Sequence, residues 1–133
     1  MDSYVDSELE IKKILVVDDM GSMRSVVREF LYEGGFNNIT LAEDGERALQ
    51  ILNEKKIDLI ISDWDMPKVT GLELLKTVKI IDKFKDIPFI MLTANNNKKH
   101  VYLAIKAGVN DYIAKPFKPE QLLQKVQDNL VQE

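Results

Sequence analysis

Three apolar runs, each closed by a residue with a side-chain oxygen, frame the chain. Ile14-Leu15-Val16-Val17 stops at Asp18, Leu59-Ile60-Ile61-Ser62 ends in Asp63, and Phe89-Ile90-Met91-Leu92 ends in Thr93. Short runs that are apolar on both faces suit strands buried in a parallel sheet. Ile39-Thr40-Leu41-Ala42 and Asp111-Tyr112-Ile113-Ala114 are two shorter strand candidates.

The intervening segments have helical spacing. Met23, Val26, Val27, Phe30 and Leu31 recur at three and four residues, and Gly34-Gly35 ends that helix. Ala48, Leu49, Ile51 and Leu52 mark a second helix. Leu72, Leu74, Leu75 and Val78 mark a third, after Gly71. Val101, Leu103, Ala104 and Ile105 mark a fourth, closed by Gly108. Leu122, Leu123, Val126, Leu130 and Val131 mark a fifth, with Pro119 in its first turn. Strands alternating with helices in this way predict an α/β fold: an open, five-stranded parallel sheet with helices on both faces.

Composition narrows the chemistry. The 133 residues correspond to one domain of ordinary size. The absence of Cys excludes a thiolate metal site, an iron–sulfur cluster, a Cys nucleophile and a disulfide scaffold. A net charge of −4 argues against a general nucleic-acid binder. No apolar run approaches the roughly 18 residues of a membrane span, and Met1–Glu10 lacks a signal peptide's basic start and apolar middle. The expectation is therefore a soluble, cytoplasmic, monomeric protein. Residues 1–10, acidic and without periodicity, are expected to form a frayed N-terminal extension ahead of a domain over 11–133. A lid or partner contact through Tyr4 and Val5 is the lesser reading.

In an open parallel sheet, ligands bind beyond the carboxyl ends of the strands. The residues there are Asp18 and Asp19, Asp63, Thr93 and Lys115. An acid at a buried strand end is costly unless its charge is offset. One Lys cannot balance three carboxylates, so a cation is implied. Oxygen ligands favour a hard ion, Mg²⁺ before Ca²⁺. Taken singly, each residue has a plainer reading. Asp18 and Asp19 could cap the next helix, Asp63 could close a turn, Lys115 could be a solvated loop residue, Thr93 could cap a helix and Tyr112 could be ordinary core.

Together, Val16-Val17-Asp18-Asp19, Ser62-Asp63-Trp64-Asp65-Met66-Pro67, Gly71, Thr93-Ala94 and Lys115-Pro116-Phe117 resemble the receiver domain of bacterial two-component response regulators, over about residues 11 to 131. Ser62–Pro67 and Gly71–Lys76 look particularly like the stand-alone chemotaxis regulators. The resemblance implies a doubly wound, flavodoxin-like sheet in strand order 2-1-3-4-5. It implies that Asp63 accepts a phosphoryl group from a histidine kinase. Asp19 and Asp63 would hold Mg²⁺ (or Mn²⁺) directly, Asp18 through water, and Asp65 through its backbone carbonyl. Lys115 and Thr93 would contact phosphoryl oxygens, Tyr112 would move inward behind Thr93 after modification, and the Lys115-Pro116 bond would be cis. The expected output is binding rather than catalysis: after Lys115 there is sequence for one helix and no effector domain.

Other positions are expected to act around this site. Trp64 should pack beside it and report on metal. His100, the single histidine, is expected at the surface. Asp65 and Asn95 vary among relatives and flank the approach of water. Asn95–Lys99 is expected to be a mobile loop and the start of the fourth helix. Lys98, Val101, Tyr112 and Lys125 would form the partner face, suited to an acidic amphipathic peptide of a flagellar motor switch protein; a phosphatase is a further expected partner. Three alternatives stand beside this reading: a phosphorelay intermediate passing its phosphoryl group to a histidine phosphotransfer protein, a haloacid-dehalogenase-like phosphatase using Asp63 and Asp65, and a flavodoxin. The last would need amides, not Asp18-Asp19, around a phosphate.

Overall fold

Successive residues of a strand face opposite sides of a sheet, and the apolar runs are divided between two cores on that rule. In the computed structural model, which describes residues 7–95 and 97–131, the strands are β1 (Lys13–Val17), β2 (Asn38–Ala42), β3 (Leu59–Asp63), β4 (Phe89–Thr93) and β5 (Asp111–Ala114). The helices are α1 (Ser7–Glu10), α2 (Gly21–Glu33), α3 (Gly45–Glu54), α4 (Gly71–Ile80), α5 (Lys98–Lys106) and α6 (Pro119–Leu130). Leu15, Val17, Ile60 and Met91 face α3, α4 and α5, where they meet Ile51, Leu74, Leu75, Val78 and Ala104. Ile14, Val16, Leu59, Ile61, Ile90 and Leu92 face α2 and α6, where they meet Val27, Leu31, Leu122 and Val126.

All four strand pairings are parallel, in the order β2-β1-β3-β4-β5. The connections run outward from β1 on one side and from β3 on the other. The order therefore reverses between β1 and β3, the position where such sheets open a crevice for ligands. Helix starts are fixed locally. Asp44 accepts from Arg47 N at 2.7 Å to start α3, and Asn97 accepts from His100 N at 2.9 Å to start α5. Thr70 and Glu73 form a reciprocal capping box on α4, at 3.2 and 2.8 Å.

One region departs from the sequence expectation. Within the segment expected to be frayed, Ser7–Glu10 form a single helical turn. Half-buried Leu9 packs on the α2/α6 core, and its carbonyl accepts from Lys12 N at 3.0 Å. Met1–Asp6, including Tyr4 and Val5, lie outside the described residues. Near the end of α4, half-buried Lys79 ties the helix to the segment leading into β4. Lys79 Nζ donates to Asn110 Oδ1 at 2.8 Å and to the carbonyls of Lys85 and Ile87, each at 3.3 Å. Burial pushes its pKa down, against the attraction of Asp86. Asn110 Oδ1 also accepts from Phe89 N at 2.8 Å, so this cluster fixes the start of β4.

Candidate functional site

Register brings the acids together. Val17 pairs with Ser62 and Asp63 with Leu92, so Asp18 and Asp63 leave the sheet side by side. Asp18, Asp19 and Asp63 each place a carboxylate oxygen within 4.8 Å of the others. Asp19 is exposed, whereas Asp18 and Asp63 retain 2% and 5% of their accessible surface. Asp18 Oδ1 accepts from Met20 N at 2.9 Å. Arg24 Nη1 donates to the Asp18 carbonyl at 2.7 Å. The second oxygen, Asp18 Oδ2, is buried with no hydrogen-bond partner. Helix capping does not explain this pair: the residue at the α2 cap position is Met20, and it makes no side-chain cap bond.

Lys115 closes the site from β5. Its N–H donates to the Thr93 carbonyl at 2.8 Å, and the following Lys115-Pro116 peptide is cis. Its Nζ lies 2.7 Å from Asp63 Oδ1 and 3.8 Å from Asp18 Oδ2. That single ammonium does not balance the cluster. Burial pushes the Asp63 carboxyl above the usual carboxylate value, against the Lys115 hydrogen bond and charge, and the charges of Asp65 and Asp19 add to the rise. Burial also raises Asp18, against the Met20 amide and Lys115 and with Asp63 and Asp19 adding to the rise. Gly71 permits the close approach of α4. A Cβ there would meet the Asp63 carbonyl oxygen, and would stand 2.8 Å from Trp64 Cα and 2.9 Å from Met91 Sδ.

A hard cation fits this donor set. The ligand atoms are carboxylate oxygens, two of the three carboxylates hold protons more tightly than usual, and one buried oxygen lacks a partner. Asp65 is exposed two residues beyond Asp63, close enough for its charge to be felt there.

Thr93 is fully buried. Its hydroxyl accepts from Asn95 N at 2.9 Å and lies 3.2 Å from Asn95 O as donor. Tyr112 donates its OH to the same Asn95 carbonyl at 2.9 Å, and its ring packs on the α3/α4/α5 core. Burial raises the Tyr112 phenol, with Thr93 close enough to oppose the shift. Thr93 and Tyr112 are thus joined through one backbone carbonyl. Of the other residues assigned to a partner face, Lys98 is exposed at the start of α5 and Val101 is half-buried. Lys125 does not present an unpaired charge. Its Nζ is 3.1 Å from Asp111 Oδ1, and Asp111 Oδ2 accepts from Asn129 Nδ2 at 3.0 Å. Tyr112, Pro116, Gln124 and Lys125 line a shallow groove between β5 and α6.

Trp64 packs beside the site as expected, 7% exposed. His100 is not the surface residue expected. Its ring is half-buried and lies on Trp64, with centroids 4.7 Å apart. Sequence reasoning missed this contact because the two residues are remote in the chain and on different elements. The role of Arg24 at the Asp18 carbonyl also carried no local signal. Gly71 was read as a helix start, and its closeness to the Asp63 backbone depends on tertiary packing.

The profile of the response regulator receiver domain matches residues 14–127. A chemotaxis protein CheY homolog of Campylobacter jejuni is 42% identical over 119 residues, covering 89% of this chain and 92% of that protein. The chemotaxis protein CheY of Pseudomonas aeruginosa is 38% identical over 115 residues, covering 86% and 93%. The solved structure of Vibrio cholerae chemotaxis protein CheY4 superposes with a TM-score of 0.84 at 35% identity, covering 90% of this chain and 98% of that one. The receiver domain of a sensor histidine kinase from Pseudomonas aeruginosa, solved with a magnesium ion coordinated in its active-site cleft, superposes with a TM-score of 0.81 at 29% identity, covering 90% and 97%.

Proposed function

The chain belongs to the response regulator receiver family, and on that footing we propose that it is a cytoplasmic phosphorylation switch whose acceptor is Asp63. The observation that carries this reading is the pairing of Lys115 Nζ with Asp63 Oδ1 at 2.7 Å, beside an Asp18 oxygen that is buried without a partner. A carboxylate oxygen of Asp63 attacks the phosphorus of a phosphohistidine on a kinase. The P–O bond forms as the P–N bond breaks, and the released imidazole takes up a proton. Phosphoryl transfer of this kind needs positioning and charge neutralisation more than covalent help from the protein.

Asp18, Asp19 and Asp63, with the Asp65 carbonyl, would hold Mg²⁺, and Mn²⁺ has the same ligand preferences. When bound, the ion offsets the clustered carboxylates and the charge on the transferring group. Lys115 supplies a compact positive charge to a phosphoryl oxygen. Thr93 donates its hydroxyl to another, which requires that proton to leave the Asn95 carbonyl. The phosphoryl group adds about −1.5 to −2 charge. The Thr93–Asn95–Tyr112 linkage therefore changes partners on modification, and the α5–β5–α6 face changes with it.

Chemotaxis is the favoured setting, because the relatives at about 40% identity are chemotaxis proteins. The partners would be a histidine kinase, a phosphatase and the flagellar motor switch protein, engaged by a monomer through Lys98, Val101, Tyr112 and the β5/α6 groove. A phosphorelay intermediate is the second reading. It draws on the likeness to receiver domains of sensor histidine kinases. The phosphatase and flavodoxin alternatives fall with family membership. The test is intact mass after acetyl phosphate with Mg²⁺, on the wild type and Asp63→Asn. One phosphoryl adduct in the wild type and none in the variant is the expected result. An adduct that persists in the variant overturns the assignment. Capture by a motor-switch peptide or by a histidine phosphotransfer protein separates the two settings.

A further inference from the structure

Trp64 and His100 are the chain's single tryptophan and single histidine, and they meet with ring planes inclined at 49° and centroids 4.7 Å apart. Each is fixed from its own side. Trp64 follows Asp63 directly. Its N–H donates to the Leu92 carbonyl at 2.9 Å and its carbonyl accepts from Gly71 N at 2.8 Å. The indole is therefore carried by the end of β3 and cannot shift far on its own. His100 sits in the first turn of α5. Its N–H donates to the Asn97 cap oxygen at 2.9 Å, and its Nδ1 lies 3.2 Å from that same oxygen.

The rest of α5 is lightly held. Ala104 is its one fully buried side chain, whereas α3 and α4 each bury four residues. Leu103 and Ala107 pack on the core from the second half of the helix and its end, and Tyr102 and Ile105 face solvent. A helix with so little burial lies toward the low-stability end of a fold. Among the described residues, two side-chain contacts tie the connection from β4 and the helix start to the rest of the fold. Asn95 is bonded by the hydroxyls of Thr93 and Tyr112, and His100 is held by Trp64.

We propose that His100 is a positioning residue of the switch: its ring on Trp64 is the pivot that keeps the first turn of α5 attached to the Asp63 end of β3 while the Asn95 contact is exchanged. The proposal rests on reading Asp63 as the acceptor. When the Thr93 hydroxyl donates to a phosphoryl oxygen, the Asn95 carbonyl loses that donor, at 3.2 Å, and keeps the Tyr112 hydroxyl at 2.9 Å. The helix start then re-orients about the Trp64–His100 contact instead of detaching, and the face carrying Lys98 and Val101 moves as a unit. His100→Ala keeps the backbone bond to Asn97 and removes only the ring. His100→Phe keeps an aromatic ring on Trp64.

The test is amide hydrogen exchange resolved to the segment around α5, with and without beryllofluoride and Mg²⁺, alongside acrylamide quenching of Trp64 emission. In the wild type, Asn95 should change protection on activation while the amides of His100 and Val101, both bonded to Asn97, stay protected. In His100→Ala, the amides of residues 100 and 101 should exchange about two- to tenfold faster in both states, the factor expected from losing one aromatic pair. Trp64 should also become more accessible to quencher. His100→Phe should restore the wild-type pattern, which loss of general stability would not predict. Wild-type exchange at residues 100 and 101 in His100→Ala, or failure of His100→Phe to restore it, overturns the pivot. Intact mass after acetyl phosphate separates the two levels of the argument. Normal modification with unchanged α5 exchange defeats the pivot alone, whereas a wild type that takes no phosphoryl group defeats the acceptor reading and the switching role with it.

Discussion

Lys115 Nζ stands 2.7 Å from Asp63 Oδ1 and 3.8 Å from Asp18 Oδ2, so one ammonium is shared unequally between two buried carboxylates. Asp63 has a charged hydrogen-bond donor, and Asp18 has only its share of a more distant charge. This asymmetry separates the effects expected of substitutions at the two ends.

Lys115→Met leaves Asp63 without its partner. The metal-free variant should lose about 1–2 kcal/mol at neutral pH, less than for a fully buried pair because the Lys115 side chain is 19% exposed. Mg²⁺ should recover part of the loss. Urea denaturation with and without the ion reads both effects. A variant as stable as the wild type without metal would show that the ammonium contributes nothing to holding the cluster together.

Asp18→Asn acts in the opposite direction. It removes a charge whose burial is unfavourable and whose Oδ2 has no hydrogen-bond partner, only the Lys115 charge at 3.8 Å. The metal-free variant should gain about 1–2 kcal/mol, or roughly 3–6 °C in melting temperature for a domain of this size. Its stabilisation by Mg²⁺ should shrink or vanish. A lower melting temperature without metal would contradict the electrostatic account.

The pH dependence follows from the raised carboxyls of Asp18 and Asp63. In each case the folded state binds the proton more tightly than the unfolded chain. Their contribution to stability is complete below the unfolded value of 3.8 and is lost as pH rises through the folded values. Without metal, these two groups should therefore oppose stability at neutral pH relative to mildly acidic pH. Protons also compete with the cation, so Mg²⁺ affinity should fall on acidification before the ordinary carboxylate range is reached. Thermal melts and Mg²⁺ titrations of Trp64 emission between about pH 5 and 7.5 measure the two trends. Mg²⁺ affinity that does not fall on acidification even as the ordinary carboxylate range is approached would rule out the raised carboxyls as ligands.

Gly71→Ala and Gly45→Ala should differ. At Gly71 the added methyl meets the Asp63 carbonyl and Trp64 Cα, which are backbone and cannot rotate away; at Gly45 it meets the Val69 side chain, with Cγ1 at 2.6 Å. The first should lose about 2–3 kcal/mol together with Mg²⁺ affinity, and the second less, with affinity retained. Equal losses of stability and equal Mg²⁺ affinity in the two variants would remove the link between Gly71 and the site.

The parts of this architecture that could be read from the sequence are those encoded over a few residues. Strand β3 and its closing Asp63 are consecutive, so burial on both faces and a costly terminal acid appear in one short stretch. Strand order needed the family resemblance, since periodicity does not say which strands are neighbours. Leu9 was hidden because a single apolar residue in one helical turn produces no repeat. The Asp111 partner of Lys125 and the Trp64 partner of His100 left no local signal. In each case the deciding partner belongs to another element, and only tertiary packing supplies it.

Asp63 and Lys115 are 52 residues apart, and this separation orders events during synthesis. The three carboxylates leave the ribosome well before the lysine that faces them, at about 5–20 residues per second. Strand β4 ends at Thr93, 22 residues before Lys115, so β1 to β4 can assemble around an acidic cluster about 1–4 seconds before that positive charge arrives. A divalent ion captured in that interval would act as a folding aid to the nascent chain before it takes any part in signalling.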